Sequence, residues 1–183
     1  HKHSTYLEFI LAYFFCHRIL SYHDTGDYSF LQITMTSMAN HFVASRLKDN
    51  YLLQESLLNI IVENYESFNV RKKSNAAYWL GKITYQDLTD KAIELLEKEF
   101  LALKPVVKTD NSATLRNKHN QFLFLSVFLG LISHGRANIL DDYLCLIVIN
   151  DTANAINRGN VIEYLGDNHQ TSVHNNYYMD NDP

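Results

Sequence analysis

The chain has 183 residues, with 46% hydrophobic and 20% charged residues and a net charge of -4 from 16 Lys+Arg against 20 Asp+Glu. That composition is globular rather than disordered, and two prolines and six glycines argue against collagen-like, low-complexity and many-turned all-β chains. The charge balance argues against a broad nucleic-acid surface and leaves room only for a local basic patch.

The chain becomes apolar within five residues of His1, which reads as a piece of a longer polypeptide or, equally, as a trimmed chain. Segment 4–22 carries apolar residues on nearly every side, from Tyr6 and Leu7 through Phe14 and Phe15 to Leu20, the pattern of a buried central helix. Glu8, His17 and Arg18 interrupt it. It lacks the basic leader and cleavage site of a signal peptide, and it is too short and polar to span a membrane. His23 to Asp27 reads as a turn.

Leu31, Met35, Met38 and Phe42 then fall at helical spacing within a helix over 28–48. Asn50 is placed to cap the next helix, 51–67, whose stripe is Leu53, Leu57, Ile60, Ile61 and Tyr65. Segment 69–83 offers a small-residue face through Ala76, Ala77, Leu80 and Ile83. Segment 86–104 is amphipathic, with Asp87 in its first turn, Lys104 in its last and Pro105 closing it before a loop over 105–111. Segment 112–134 opens polar and becomes apolar from Phe122, ending at Ser133-His134-Gly135.

Over 137–149 a helix competes with a strand because of the β-branched run 147–149; no partner strand is evident, so helix is preferred. A short helix over about 151–157 breaks at Arg158-Gly159. The expectation is an all-α chain of seven or eight helices without a sheet: one helical domain over 1–165 and a polar, Asn- and Asp-rich, flexible tail over 166–183. Short connections leave a closed bundle or a stacked helical solenoid.

Chemistry-bearing residues are sparse in pattern. Nine histidines form no HExxH or other metal-ligand spacing, so no metal is expected. Cys16 and Cys145 lie in apolar runs and read as two buried thiols, with a disulfide left open. No GxSxG elbow and no phosphate loop occurs, and Glu94, Glu97 and Glu99 read as a solvated helix face. The chain itself is therefore not expected to be an enzyme or to hold a cofactor. Arg71-Lys72-Lys73 with Arg46 and Lys48, and Arg116-Lys118-His119, are the candidate basic patches. A nucleic-acid groove would need exposed aromatics interleaved with more charge. Tyr78, Trp79 and Tyr85 cluster in sequence and are candidates for partner contact, since such rings are favoured at interfaces. At Asn157-Arg158-Gly159 a glycine-ended helix would project Arg158 toward Glu163 or Asp167, either as an internal clamp or as a contact to a partner.

Two stretches carry family resemblances. Lys73-Ser74-Asn75-Ala76-Ala77-Tyr78-Trp79-Leu80-Gly81-Lys82-Ile83 resembles the second helix of a HEAT-type repeat: a basic residue, a small residue three later, then Leu-Gly. Lys73 stands where arginine is usual. Segment 116–135 echoes it through Leu129-Gly130, with Phe122 at the basic position, and no fixed period runs through the chain. Separately, Asn154 to Asp167, through Ile156-Asn157-Arg158-Gly159 and Glu163-Tyr164-Leu165-Gly166-Asp167, is similar to an element of helical C-terminal regions in bacterial NACHT/STAND-type ATPases. The resemblances imply an irregular HEAT-like helical hairpin array, an α-solenoid, acting as the sensor of a cytoplasmic antiphage defence protein. The ATPase core would then lie outside this chain. The implied partner is another protein, a phage protein or the chain's own parent domains, with no membrane or nucleic acid, and oligomerisation through the missing domains. The competing expectation is a freestanding helical regulator with a small-molecule pocket among aromatic helices.

Overall fold

The computed structural model describes residues 2–33, 35–109 and 115–136. Those residues are all-helical: α1 (Lys2–Leu20), α2 (Tyr22–Thr25), α3 (Ser37–Lys48), α4 (Tyr51–Asn64), α5 (Val70–Leu80), α6 (Gln86–Thr109) and α7 (Leu115–Ser133), with 3₁₀ turns at Ser29–Gln32 and Tyr65–Ser67. No strand occurs among the described residues. The segments 137–149, 151–157 and 166–183, and the turn at Asn157-Arg158-Gly159, lie outside them.

Local chemistry sets the helix ends. Thr36, Asn50 and Asn69 each hold an extended backbone, and each side chain accepts a hydrogen bond from the amide three residues on, at Ala39, Leu53 and Lys72. The Asn50 cap falls where the sequence puts it. The expected single helix over 28–48 does not form. The 3₁₀ turn ends at Gln32, Ile33 is extended, and the Thr36 cap starts α3 afresh. Helical spacing across Leu31 and Met35 is thus coincidental, and the β-branched residues between them favour extended backbone. Within the expected turn at 23–27, Gly26 ends α2 at φ 61, a left-handed conformation that glycine adopts without steric cost. Pro105 does not end α6, which runs on to Thr109. Proline there removes the amide that would bond the Leu101 carbonyl but does not prevent the adjacent residues from staying helical.

The most extensive helix contacts are α5 on α7, α6 on α7 and α1 on α3, with smaller ones of α4 against α1, α3 and α6. One apolar core runs through them, from Phe15 and Ile19 of α1 through Leu57 and Ile61 of α4 and Leu80 of α5 to Phe124 and Phe128 of α7. The Phe15 ring meets Phe30 edge-on at 5.1 Å and Trp79 at 5.1 Å, which joins α1 to α5. Phe100 stacks on Phe124 at 4.9 Å between α6 and α7.

The closest backbone approach in this body is between the two Leu-Gly dipeptides. A methyl group on Gly81 would lie 2.9 Å from the Gly130 Cα and 2.9 Å from Ser133 Oγ. On Gly130 it would lie 3.0 Å from a Leu96 methyl and 3.1 Å from the Ala77 carbonyl. The small face formed by Ala76 and Ala77, both wholly buried, continues this contact along α5. The C-terminus of α7 secures it. Gly135 at φ 75 lets the Arg136 amide bond the Leu131 carbonyl at 3.0 Å. The His134 ring then donates to the Leu80 carbonyl at 2.9 Å, and burial holds its pKa below the ordinary histidine value.

A second tie is polar. Gln54 is 0% exposed, and its amide makes four hydrogen bonds. Nε2 donates to the Leu47 carbonyl at 2.8 Å and to Thr84 Oγ1 at 2.9 Å. Oε1 accepts from the Thr84 amide at 2.7 Å and from the Tyr85 amide at 3.3 Å. One side chain therefore joins the end of α3, the start of α4 and the α5–α6 turn with no buried polar atom of its own unpaired.

Two stability outcomes follow from these contacts. Gly81→Ala forces backbone apart and lowers unfolding stability by about 1–3 kcal/mol in urea titrations, whereas Gly130→Ala meets a movable Leu96 methyl and regains helix propensity of about 1 kcal/mol, so its net loss is smaller. Gln54→Leu strands the Thr84 and Tyr85 amides, leaves the Leu47 carbonyl with the Asn50 amide alone and costs roughly 2–4 kcal/mol in the same measurement.

Candidate interaction surface

The residues singled out by sequence for partner contact do not share one surface. Trp79 is 2% exposed and belongs to the core, against Phe15; its place on the small-residue face of α5 turns it inward, and it is withdrawn from the candidate surface. Tyr78, its neighbour on the helix, is exposed, with the Lys82 ammonium 5.2 Å over its ring. Tyr85 is half-buried, edge-on to Tyr51 at 5.2 Å. The Tyr51 hydroxyl donates to Asp87 at 2.7 Å, and that bond, with the neighbouring carboxylates, pushes its pKa up to about 12. Tyr51 and Tyr85 thus brace the start of α6. Asn157, Arg158, Gly159 and Glu163 lie outside the described residues.

The candidate basic run 71–73 is also taken apart by the fold. Lys73 lies 3.2 Å from Glu99 in a largely buried pair, 4.6 Å over the Tyr65 ring, whose hydroxyl is pushed up by burial and by Glu99. Lys72 sits over the Tyr28 ring at 4.6 Å. Arg46 belongs to a different face altogether, that of α1.

That face is where sequence reading and structure part most. The apolar-all-round pattern of 4–22 predicts a helix covered on every side. In the structure α1 is an edge helix. Ala12, Phe15, Cys16 and Ile19 face the core, while Tyr6, Leu7, Phe9, Ile10, Tyr13, Phe14 and Leu20 are exposed, Tyr6 and Leu7 by 65% and 64%. At 100° per residue the exposed side chains cover about 160° of the helix, and between Tyr6 and Leu20 the one polar side chain within that arc is His17. Contiguous apolar surface of this kind is uncommon on a monomer and marks interaction sites.

Beside it, α3 runs in the same direction as α1. Thr36 donates to Glu8 at 2.5 Å, Phe42 meets Phe9 edge-on at 5.8 Å, and the Arg46 guanidinium lies over Phe9 and Tyr13, at 5.6 and 5.0 Å from the ring centres. Next to Arg46 is a recess of about 230 Å³ between α1, the end of α3 and the start of α4, lined by Tyr13, Cys16, His17, Arg46 and Asn50 among others. Cys16 is buried in its wall, and burial raises its thiol pKa to about 11, so it is protonated and unreactive at neutral pH. Arg18, on the opposite flank, pairs with Asp27.

Among the described residues no group of three or more His, Cys, Asp or Glu is placed to hold a metal, and no helix is long and apolar enough to cross a membrane. No protein-family model, curated protein or solved structure matches this chain. The exposed arc of α1 is the surface that sequence reasoning missed. Glu8, His17 and Arg18 fall on different sides of the helix, and a helix apolar on all sides carries no information about which side lacks a neighbour.

Because Phe14 faces outward and Phe15 inward, adjacent substitutions separate the two roles. Phe14→Asp leaves unfolding stability within about 0.5 kcal/mol, whereas Phe15→Ala costs roughly 3–5 kcal/mol, both read from chemical denaturation of the full chain.

Proposed function

We propose that this chain is a protein-binding helical module that works by docking a partner, not by bond chemistry. The observation that carries this reading is the exposed α1 face: seven large apolar side chains gathered on one helix, whereas those exposed elsewhere, such as Leu52 and Leu101, are spread over several helices. The packing of α1 on α3 and of α5 on α7 supports reading the body as an irregular HEAT-like array, in which helices stack on those of the next hairpin. The contact between Gly81 and Gly130 supports it further, since both glycines stand at the Leu-Gly step of the repeat pattern.

Within that reading, the module is the sensor part of a cytoplasmic STAND-type antiphage ATPase whose nucleotide-binding core is a separate region. This finer assignment rests on the similarity of Asn154 to Asp167. Partner binding would shift a conformational equilibrium in the larger protein. The small-molecule regulator is the second reading; the recess beside Arg46, at about 230 Å³, is itself below the roughly 300–1,000 Å³ of small-molecule clefts.

The test is affinity capture from phage-infected and uninfected bacterial lysates with the full chain and with an Ile10→Asp, Phe14→Asp double variant. The expected result is a protein identified in the infected sample that re-forms a stoichiometric complex from purified components and is lost with the folded double variant. A complex that forms equally with that variant removes α1 from the account. Capture from uninfected cells alone contradicts the sensor role.

A further inference from the structure

The α1 face has a chemical feature that narrows its partner. Most described cations near a carboxylate pair with it: Arg18 with Asp27, Lys73 with Glu99, Lys98 with Glu66 and Arg136 with Glu97. Arg46 is exposed, and no described carboxylate reaches it. Lys72 and Lys82 likewise rest on rings away from the arc, and Arg18, over Phe14 at its other border, is taken by Asp27. The Arg46 guanidinium lies over Phe9 and Tyr13, which restrains a long side chain that would otherwise be mobile. Rings accept none of its five N–H donors as a carboxylate does, and the guanidinium fork matches a planar, bidentate acceptor.

We infer that the α1 face receives an amphipathic helix of a partner protein, and that Arg46 takes one Asp or Glu carboxylate at the flank of that helix's apolar stripe. This deepens the protein-binding reading and rests on it. The length fits: α1 offers 19 residues, roughly 28 Å at 1.5 Å per residue, to a helix reading it at i, i+3, i+4 and i+7. The charge fits as well. A border cation that no described carboxylate takes suits one carboxylate, whereas a nucleic-acid or phosphate-rich surface needs several cations together. The recess beside Arg46, bordered by His17 and Asn50, gives the carboxylate room beside the guanidinium. Once the partner excludes water, the pair strengthens and discriminates against uncharged side chains, because Arg46 would otherwise be covered without an acceptor. A second copy of this chain is the alternative occupant, and α1 itself offers only Glu8, already bonded to Thr36, as an acid.

The experiment is selection of a random 16-residue peptide library by mRNA display against the immobilised 183-residue chain. The wild type is compared with Arg46→Met, Arg46→Glu and the Ile10→Asp, Phe14→Asp variant. The expected wild-type pool has apolar residues at helical spacing and Asp or Glu enriched about tenfold at one flanking position. Arg46→Met returns that position to the library frequency, and Arg46→Glu enriches Lys or Arg there, an inversion that only a folded protein can produce. An apolar pool without the acid, or acid enrichment that survives Arg46→Met, overturns the carboxylate assignment and leaves the protein-binding surface standing. A pool indifferent to the Ile10 and Phe14 changes overturns the α1 surface itself. A dimer by light scattering that the Ile10→Asp, Phe14→Asp variant reduces to monomer replaces the foreign helix with a second copy.

Discussion

The contact on which the described body depends is the approach of two glycines, Gly81 at the end of α5 and Gly130 within α7. At that crossing a methyl group on Gly81 would meet the Gly130 backbone itself. Close passage of α5 and α7 lets both share α6, and it brings the end of α7 near enough for the His134 ring to hold the Leu80 carbonyl. It also orients the remainder of α5. With Gly81 and Ala77 turned toward α7, Trp79 is directed at Phe15, and through that ring pair the second half of the structure is anchored to the first. Gln54 makes the complementary tie, a fully bonded amide between α3, α4 and the α5–α6 turn. Two apolar steps and one polar hub thus leave α1 attached by one side only.

That arrangement explains why α1 is both stable and exposed. Its inner residues, Ala12, Phe15, Cys16 and Ile19, are buried as thoroughly as any in the core. Its outer residues are only partly covered by the described fold, 44–65% of each staying exposed. Each forgoes a fraction of the roughly 1.5–3 kcal/mol that full burial of an apolar side chain returns. Retaining seven of them on one helix makes sense if another surface covers them. Arg46 gives that surface a polarity, because its position over Phe9 and Tyr13 fixes a cation at the border of an otherwise apolar face.

Legibility in the sequence followed the physics of each signal. The all-α class, the Asn50 cap and the α7 stop at Gly135 were readable because local chemistry decides them. The two Leu-Gly steps were readable as packing glycines, although their mutual contact was not. The helix over 28–48 failed because helical spacing survives a 3₁₀ turn and a break of a few residues, while the Thr36 cap signal inside the run was overlooked. Pro105 was given too much weight as a stop. Trp79 was assigned to the surface on composition, when its spacing from Ala76 and Leu80 already placed it near the buried side. The exposed arc of α1 was not readable at all, since hydrophobicity around a whole helix records a demand for cover and not which neighbour supplies it.

Cysteine scanning along α1, in a Cys16→Ala, Cys145→Ser background, tests the central claim that this helix is covered on one side only. Maleimide labelling of the native chain is the readout. Cysteines at positions 6, 10, 13 and 14 are predicted to react at rates close to those of the unfolded chain, and cysteines at 12, 15 and 19 about a hundredfold more slowly. Uniformly slow labelling around the helix would contradict the account, because it would mean that α1 is already enclosed and presents no surface to a partner.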